Sequence, residues 1–306
     1  MKIIFIGGVK FSLSLLQNMI KRGLEISALF TYTNDKKKFY SDMASFDKIS
    51  KNPLIKNFYK VNSINEPANI KIIKDLQPDL ILVMGWSQLL NEEIIKIPKL
   101  GVIGSHPTEL PKFRGRSPIP WSILKDLKES ALTFFYIESG VDNGDILDQK
   151  KFKIKQNDDA STIYKKITRI GILMLEKNLS LFDKGNQKRI KQDESLFIEN
   201  WSKRVPSDGL ICWSDDALEI HRLIRATTKP YPGAFTFFQE KKLIIWKADY
   251  VSEFQGVPGE IIQISPYPII SAKNGQIILK SFIFENHSKD KTNDIFSKIK
   301  IGTILN

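Results

Sequence analysis

From Lys2 to His106 the sequence alternates short, wholly apolar runs with segments of helical spacing, and that alternation leaves few folds open. Lys2-Ile-Ile-Phe-Ile6 is a continuous apolar run ending in Gly7-Gly8, after which Phe11, Leu15, Leu16 and Met19 recur on one helix face. Leu24 to Tyr32 reads as a second strand, and Pro78-Asp-Leu-Ile-Leu-Val-Met84, stopping at Gly85, as a third. Asn91 caps a short helix through Lys96 with Glu92 and Glu93 in its first turn, and Leu100 to Gly104 returns as a strand. Strands with no polar alternation are buried on both faces, so the expected architecture is α/β: a Rossmann-like, doubly wound parallel sheet. Ligands of such sheets lie beyond the carboxyl ends of the strands, where Gly7-Gly8, Met84-Gly-Trp-Ser87 and Gly104-Ser-His106 project.

The pattern changes in the last third. A helix capped near Ser161 carries Ile163, Ile167, Ile170 and Leu173, and a shorter one spans Asp216 to Ala226. Short apolar runs then follow at 234–238, 243–246, 260–264, 269–272 and 276–284, punctuated by Pro232-Gly233, Val257-Pro-Gly259 and the hairpin signal Lys273-Asn-Gly275. A small OB-like β-barrel fits this spacing. At 306 residues the chain exceeds the usual single-domain size. Two domains are therefore expected, a catalytic one over 1–200 and an OB-like one over 201–306.

Composition narrows the function classes. The net charge of +12 invites a nucleic-acid reading, but 38 of the 46 basic residues are Lys and only 8 are Arg. The excess is also spread along the chain, which describes a generally basic surface rather than an RNA-binding face. No apolar run is long enough for a membrane span, and the start Met1-Lys-Ile-Ile-Phe-Ile-Gly-Gly8 is too short for a signal peptide. One cysteine, Cys212, excludes an internal disulfide framework, and three histidines leave little for a metal site. The expectation is a cytoplasmic protein without a metal.

The chemistry concentrates in two segments. His106 ends an apolar strand and is followed by Pro107, which holds its backbone extended at a sheet edge. Asp142 lies 36 residues later between Gly140 and Gly144, where the main chain can approach a ligand closely. Val141-Asp-Asn-Gly144 alone reads as an ordinary turn; with His106 it suggests an imidazole and carboxylate pair of the kind that moves protons near neutral pH. Between them, Pro111-Lys-Phe-Arg-Gly-Arg-Ser-Pro118 is a stiff basic loop offering Arg114 and Arg116 as anion hooks. Gly7-Gly8 lacks the full dinucleotide-binding pattern and instead forms a tight turn that frees space for a ligand.

These residues carry a family resemblance. The run from His106 to Arg116, with Gly140-Val-Asp-Asn-Gly-Asp-Ile-Leu147, resembles the 10-formyltetrahydrofolate-dependent formyltransferases, which act on glycinamide ribonucleotide, methionyl-tRNA and nucleotide-linked amino sugars. Asp208-Gly-Leu-Ile-Cys-Trp213, His221-Arg-Leu-Ile-Arg-Ala226 and Pro230-Tyr-Pro-Gly-Ala-Phe235 are similar to the C-terminal domain of the tRNA and some sugar enzymes. The resemblance implies direct formyl transfer from 10-formyltetrahydrofolate to an amine, with His106 and Asp142 catalytic. It implies a folate pocket lined by Gln88, Leu89, Leu90, Arg116 and the segment Glu138, Ser139, Gly140, Val141. Gly8, Lys112 and Arg114 would face the acceptor and its phosphates, and the resemblance leaves room for a homodimer. Members of the family place an asparagine two residues before the histidine; this chain has Gly104 there. Ser105 lies on the opposite face of an extended strand. An oxyanion donor is typically worth ~3 kcal/mol, so either another donor such as a backbone N–H stands in, or the reaction tolerates a slower turnover, or the chain binds without catalysing. A compensated enzyme is the expectation, because His106, Asp142 and the basic loop are all present.

For the acceptor, Ile26-Ser-Ala-Leu-Phe-Thr-Tyr-Thr33 with Phe39-Tyr40 is similar to the formyltransferase domain acting on UDP-4-amino-4-deoxy-arabinose, and Asn34-Asp-Lys-Lys-Lys38 is shorter than the basic insertion of the tRNA enzymes. The expected acceptor is a nucleotide-linked amino sugar, a UDP-4-amino sugar by this resemblance, used in surface-glycan synthesis, with no nucleic-acid partner. The alternatives are a methionyl-tRNA formyltransferase and a folate- or nucleotide-binding relative without turnover.

Overall fold

A computed structural model of the chain describes residues 1–33 and 41–306. They form two compact units: Met1–Pro118, Glu129–Lys153 and Tyr164–Ser202 in the first, Ile119–Lys128, Ile154–Ile163 and Lys203–Asn306 in the second. Two short segments expected in the first domain, 119–128 and 154–163, thus fall with the second unit.

The first run of elements follows the alternation in the sequence: β1 (Ile3–Gly7), α1 (Lys10–Lys21), β2 (Ala28–Tyr32), β3 (Phe58–Val61), α2 (Pro67–Leu76), β4 (Leu80–Met84), α3 (Glu92–Ile95) and β5 (Val102–His106). Every residue of β1, β2 and β4 is buried. Each large apolar side chain so buried stabilises by about 2 kcal/mol, which places these strands at the sheet centre. Helix α1 buries the stripe Phe11, Leu15, Leu16 and Met19, and Asn91 caps α3 by accepting the Ile94 N–H at 3.1 Å. The connection β6 (Phe113–Gly115) and α4 (Pro118–Leu124) leads to β7 (Glu129–Tyr136), β8 (Ile146–Lys153), α5 (Ala160–Asp183) and β9 (Glu199–Trp201). Helix α5 is capped by Asp159, which accepts the Thr162 N–H at 2.8 Å, two residues before the expected Ser161.

The seven-stranded sheet has the order β3-β2-β1-β4-β5-β7-β8. The chain winds outward through β2 and β3, then returns to lay β4 on the other side of β1, so β1 and β4 form the topological switch point. Their register pairs Gly7 with Met84, and Val83 pairs with Gly104 of β5, so the three carboxyl ends stand in a row. The last two strands depart from the expected parallel winding: β7 and β8 run antiparallel, and edge strand β8 exposes Lys150, Lys151 and Lys153, charges that discourage further pairing.

The second unit contains α6 (Ala217–Thr227), β10 (Ala234–Phe238), β11 (Lys241–Val251), β12 (Ile261–Gln263), β13 (Ile269–Ala272), β14 (Gly275–Phe284) and α7 (Lys289–Ser297). The five strands form one antiparallel sheet, β10-β11-β14-β13-β12, curled into a half-barrel. The Lys273-Asn-Gly275 signal is the β13–β14 hairpin, with Ala272 paired to Gly275. Ile220 and Ile224 of α6 and Phe296 of α7 close the apolar core against Leu243, Leu279 and Phe284. No helix among the described residues is long and apolar enough to cross a membrane.

His221 of α6 gives this unit an acid sensitivity. It is buried, tilted against Tyr250 at 4.9 Å, and its Nδ1 has no partner among the described residues. Burial, then the Arg225 charge, pushes its pKa down to about 4. The unfolded chain, with histidine near its ordinary value of about 6.5, takes up a proton that the folded unit refuses. Stability is therefore retained above about pH 6.5 and lost as pH falls toward 4, by up to about 3 kcal/mol. His221→Phe should flatten that acid limb in thermal unfolding; an unchanged slope would show that His221 does not set it.

Candidate active site

The site is built where β5 ends. His106 is almost fully buried, and the loop behind it is fixed by Thr133: its Oγ1 donates to the Thr108 carbonyl at 2.6 Å, and Gln149 Nε2 donates to Thr133 Oγ1 at 2.9 Å and to the Leu110 carbonyl at 3.0 Å. That loop runs into β6, where Gly115 is indispensable. Its φ is +100° and a Cβ there would lie 2.3 Å from the Trp201 carbonyl, so only glycine lets β6 pair with β9. The freed Gly115 N–H donates to Asp142 Oδ2 at 3.0 Å.

Asp142 sits in the β7–β8 connection with φ +52°, a left-handed conformation that aspartate tolerates better than most residues. The same Oδ2 lies 3.5 Å from His106 Nδ1, with the side chains 19% and 6% exposed. This is ion-pair distance and long for a hydrogen bond, as pairs awaiting substrate often are. The carboxylate faces Nδ1 and so favours the proton there, leaving Nε2 for chemistry. His106 Nε2 is buried and has no hydrogen-bond partner among the described residues. The expected convergence of His106 and Asp142 is thus realised in space.

The other singled-out residues divide. Leu89 and Val141 are 65% and 46% exposed, large apolar side chains on loops flanking this edge of the sheet. Leu90 instead joins the core. Gln88 turns back to its own scaffold, its Oε1 accepting the Ile64 N–H at 3.2 Å and its Nε2 donating to the Asn62 carbonyl at 2.7 Å. Glu138 pairs with Arg189 at 2.5 Å, Ser139 donates to Glu92 at 3.0 Å, Gly140 has φ +118°, and Arg116 is exposed.

Three expectations for the acceptor side change. Gly8 frees room for a protein ring rather than for a ligand: a Cβ there would lie 2.4 Å from the Tyr32 ring. The following helix start is also occupied, since Lys10 N–H donates to the Asp42 carbonyl at 3.0 Å and Phe11 N–H to Tyr164 Oη at 2.9 Å. Arg114, read as an anion hook, is buried and bound to Glu194 at 2.5 and 3.1 Å and to Gln192 Oε1 at 2.8 Å. Lys112 pairs with Glu109 at 3.0 Å. In β2, Phe30 and Thr31 are buried in the sheet, and Asn34 to Tyr40 lie outside the described residues.

Strand β5 pairs with both neighbours without a register shift, so Ser105 stays on the face opposite Gly104 and His106. A Cβ at Gly104 would meet Ile137 Cγ1 at 2.9 Å and Phe135 Cε1 at 3.1 Å. The volume an asparagine side chain would take is filled by apolar groups. The residues that sequence reasoning missed are Arg189, Gln192 and Glu194, which lie in a polar stretch without periodicity that reads as a solvated connection.

Fold and site together define an α/β protein with an imidazole and carboxylate pair where the carboxyl ends of its parallel strands meet. The chain belongs to the formyl transferase family: the formyl transferase domain matches residues 1–177 and the formyl transferase C-terminal domain residues 204–300. The bifunctional polymyxin resistance protein ArnA of Wigglesworthia glossinidia brevipalpis is 35% identical over 283 residues, 92% of this chain and 43% of that protein, so the chain spans less than half of it. The methionyl-tRNA formyltransferase of Ruminiclostridium cellulolyticum is 30% identical over 317 residues, covering 99% of this chain and 98% of its own. Among solved structures, the N-formyltransferase of Helicobacter canadensis in complex with folinic acid and dTDP-3-aminofucose has a TM-score of 0.69 at 22% identity, covering 92% of this chain and 99% of its own. HypX of Aquifex aeolicus in complex with tetrahydrofolic acid gives 0.70 at 18% identity, covering 97% and 48%. At those identities the structures establish the shared fold.

Proposed function

We propose that this chain transfers a formyl group from 10-formyltetrahydrofolate to the amine of a nucleotide-linked amino sugar, a UDP-4-amino sugar in the first instance, in surface-glycan synthesis. The observation that carries the chemistry is His106, with Nδ1 facing Asp142 and a buried, unpartnered Nε2 at the sheet edge. In the transfer, the acceptor nitrogen attacks the formyl carbon, the carbonyl oxygen gains charge, and the bond to the folate nitrogen breaks. His106 Nε2 takes the proton lost by the amine and returns one to the leaving nitrogen, while Asp142 stabilises the charged ring. The exposed Leu89 and Val141 supply apolar surface for a planar pterin, next to the main chain of 138–141.

The sugar acceptor is supported by the 35% identity to ArnA across 92% of the chain and by the shared fold with the enzyme crystallised with dTDP-3-aminofucose. The end-to-end match to methionyl-tRNA formyltransferase favours the second reading. A panel of UDP- and dTDP-amino sugars with 10-formyltetrahydrofolate, scored by product mass, tests the first. A formylated UDP-4-amino sugar is the expected product; formylation of methionyl-tRNA alone, with steeply salt-dependent binding, would replace it with the second.

A further inference from the structure

The turn that carries Asp142 is held from behind by a strap of chain, 186–196, to which no catalytic part has been given. Ile190 exchanges two backbone hydrogen bonds with Ile146, at 2.7 and 2.9 Å. Arg189 spans the two ends of the turn, pairing with Glu138 at 2.5 Å and Asp145 at 2.9 Å, but its side chain is 53% exposed. Gln192 is different in kind, because it is 4% exposed and every polar atom of its amide is used. Its Nε2 donates to the Asp142 carbonyl at 2.8 Å and the Gly144 carbonyl at 2.7 Å, while its Oε1 accepts from Arg114 at 2.8 Å. Two carbonyls on one side and a guanidinium on the other fix which end of the amide carries the hydrogens. Arg114 is in turn anchored by Glu194.

We propose that Gln192 is a positioning residue for formyl transfer: by bonding the carbonyls on both sides of Asn143, it fixes the left-handed Asp142 and so sets the distance from its carboxylate to His106. Among the described residues no hydrogen bond joins Gln192 to His106 or to the Asp142 carboxylate; its bonds to the turn are to backbone carbonyls. A geometric role of this kind tells on turnover more than on binding, since a misplacement near 1 Å can cost about a hundredfold in rate.

Gln192→Glu is the decisive variant. It keeps the side chain's shape and the oxygen facing Arg114, but it places an acceptor against two carbonyls. Both Gln192→Ala and Gln192→Glu should lower kcat by about tenfold or more, with KM for folate and acceptor within about twofold, and both should melt a few degrees below wild type because the two carbonyls lose their buried donor. Hydrogen exchange over 138–146 should quicken in both, with other segments unchanged. Wild-type kcat and exchange in Gln192→Glu would overturn the assignment, as would a loss confined to KM or to global stability. The kcat arm rests on the formyl-transfer reading and the exchange arm does not. If the wild-type chain formylates no amine in the panel, that reading fails, and local exchange at 138–146 still decides whether Gln192 holds the turn.

Discussion

His106→Ala should reduce formyl transfer by at least about a thousandfold, and Asp142→Asn by about a hundredfold, with both proteins folded and binding folate. The asymmetry follows from what each change removes. Alanine at 106 deletes the buried, unpartnered Nε2 to which the proposed reaction gives both proton transfers. Asparagine at 142 keeps the side-chain shape, tolerates the left-handed φ of +52° and still offers an oxygen to the Gly115 N–H. What it loses is the negative charge 3.5 Å from Nδ1, which in the proposed transfer would offset the charge the ring gains when Nε2 takes the proton of the amine. Because the two groups act as a unit, the double variant should be little worse than His106→Ala. Single-turnover rates with a saturating acceptor check this. A wild-type rate in Asp142→Asn would mean that the 3.5 Å contact is structural.

The elements most visible in the sequence were those whose local chemistry and tertiary fate agree. The apolar runs of β1 and β4 could only be central strands, Asn91 could only be a cap with two acids behind it, and Lys273-Asn-Gly275 could only turn a hairpin. His106 and Asp142 were legible for another reason: glycine and proline around them declare a backbone arranged for close approach. What stayed hidden was set by partners distant in sequence. Arg114 reads as a free cation beside the histidine, and only the fold brings Glu194 to it from 80 residues away. Gly8 reads as space for a ligand until the Tyr32 ring occupies it. The direction of β7 is not encoded in its composition either, because a buried run looks alike in parallel and antiparallel pairing.

The tightness of the Asp142 turn makes a second strong prediction, Gly144→Ala. A Cβ at 144 would lie 1.8 Å from the Tyr136 carbonyl, and that contact is with backbone at the end of β7, so no side chain can swing aside. Relief requires moving either the strand, whose Tyr136 N–H holds the Asp145 carbonyl at 2.8 Å, or the turn, whose Gly144 carbonyl is held by Gln192. The expected cost is of order 3 kcal/mol or more, and turnover should fall by about a hundredfold as Asp142 is displaced. Gly23→Ala provides the comparison. Its φ is +78° but nothing lies within 4 Å of a Cβ there, so it pays only about 1–2 kcal/mol of left-handed strain. That variant should melt earlier and keep its rate, while Gly144→Ala loses both. Equal rates in the two would mean that the turn accommodates a methyl group without moving the carboxylate, and the close packing beneath Asp142 would then have no part in catalysis.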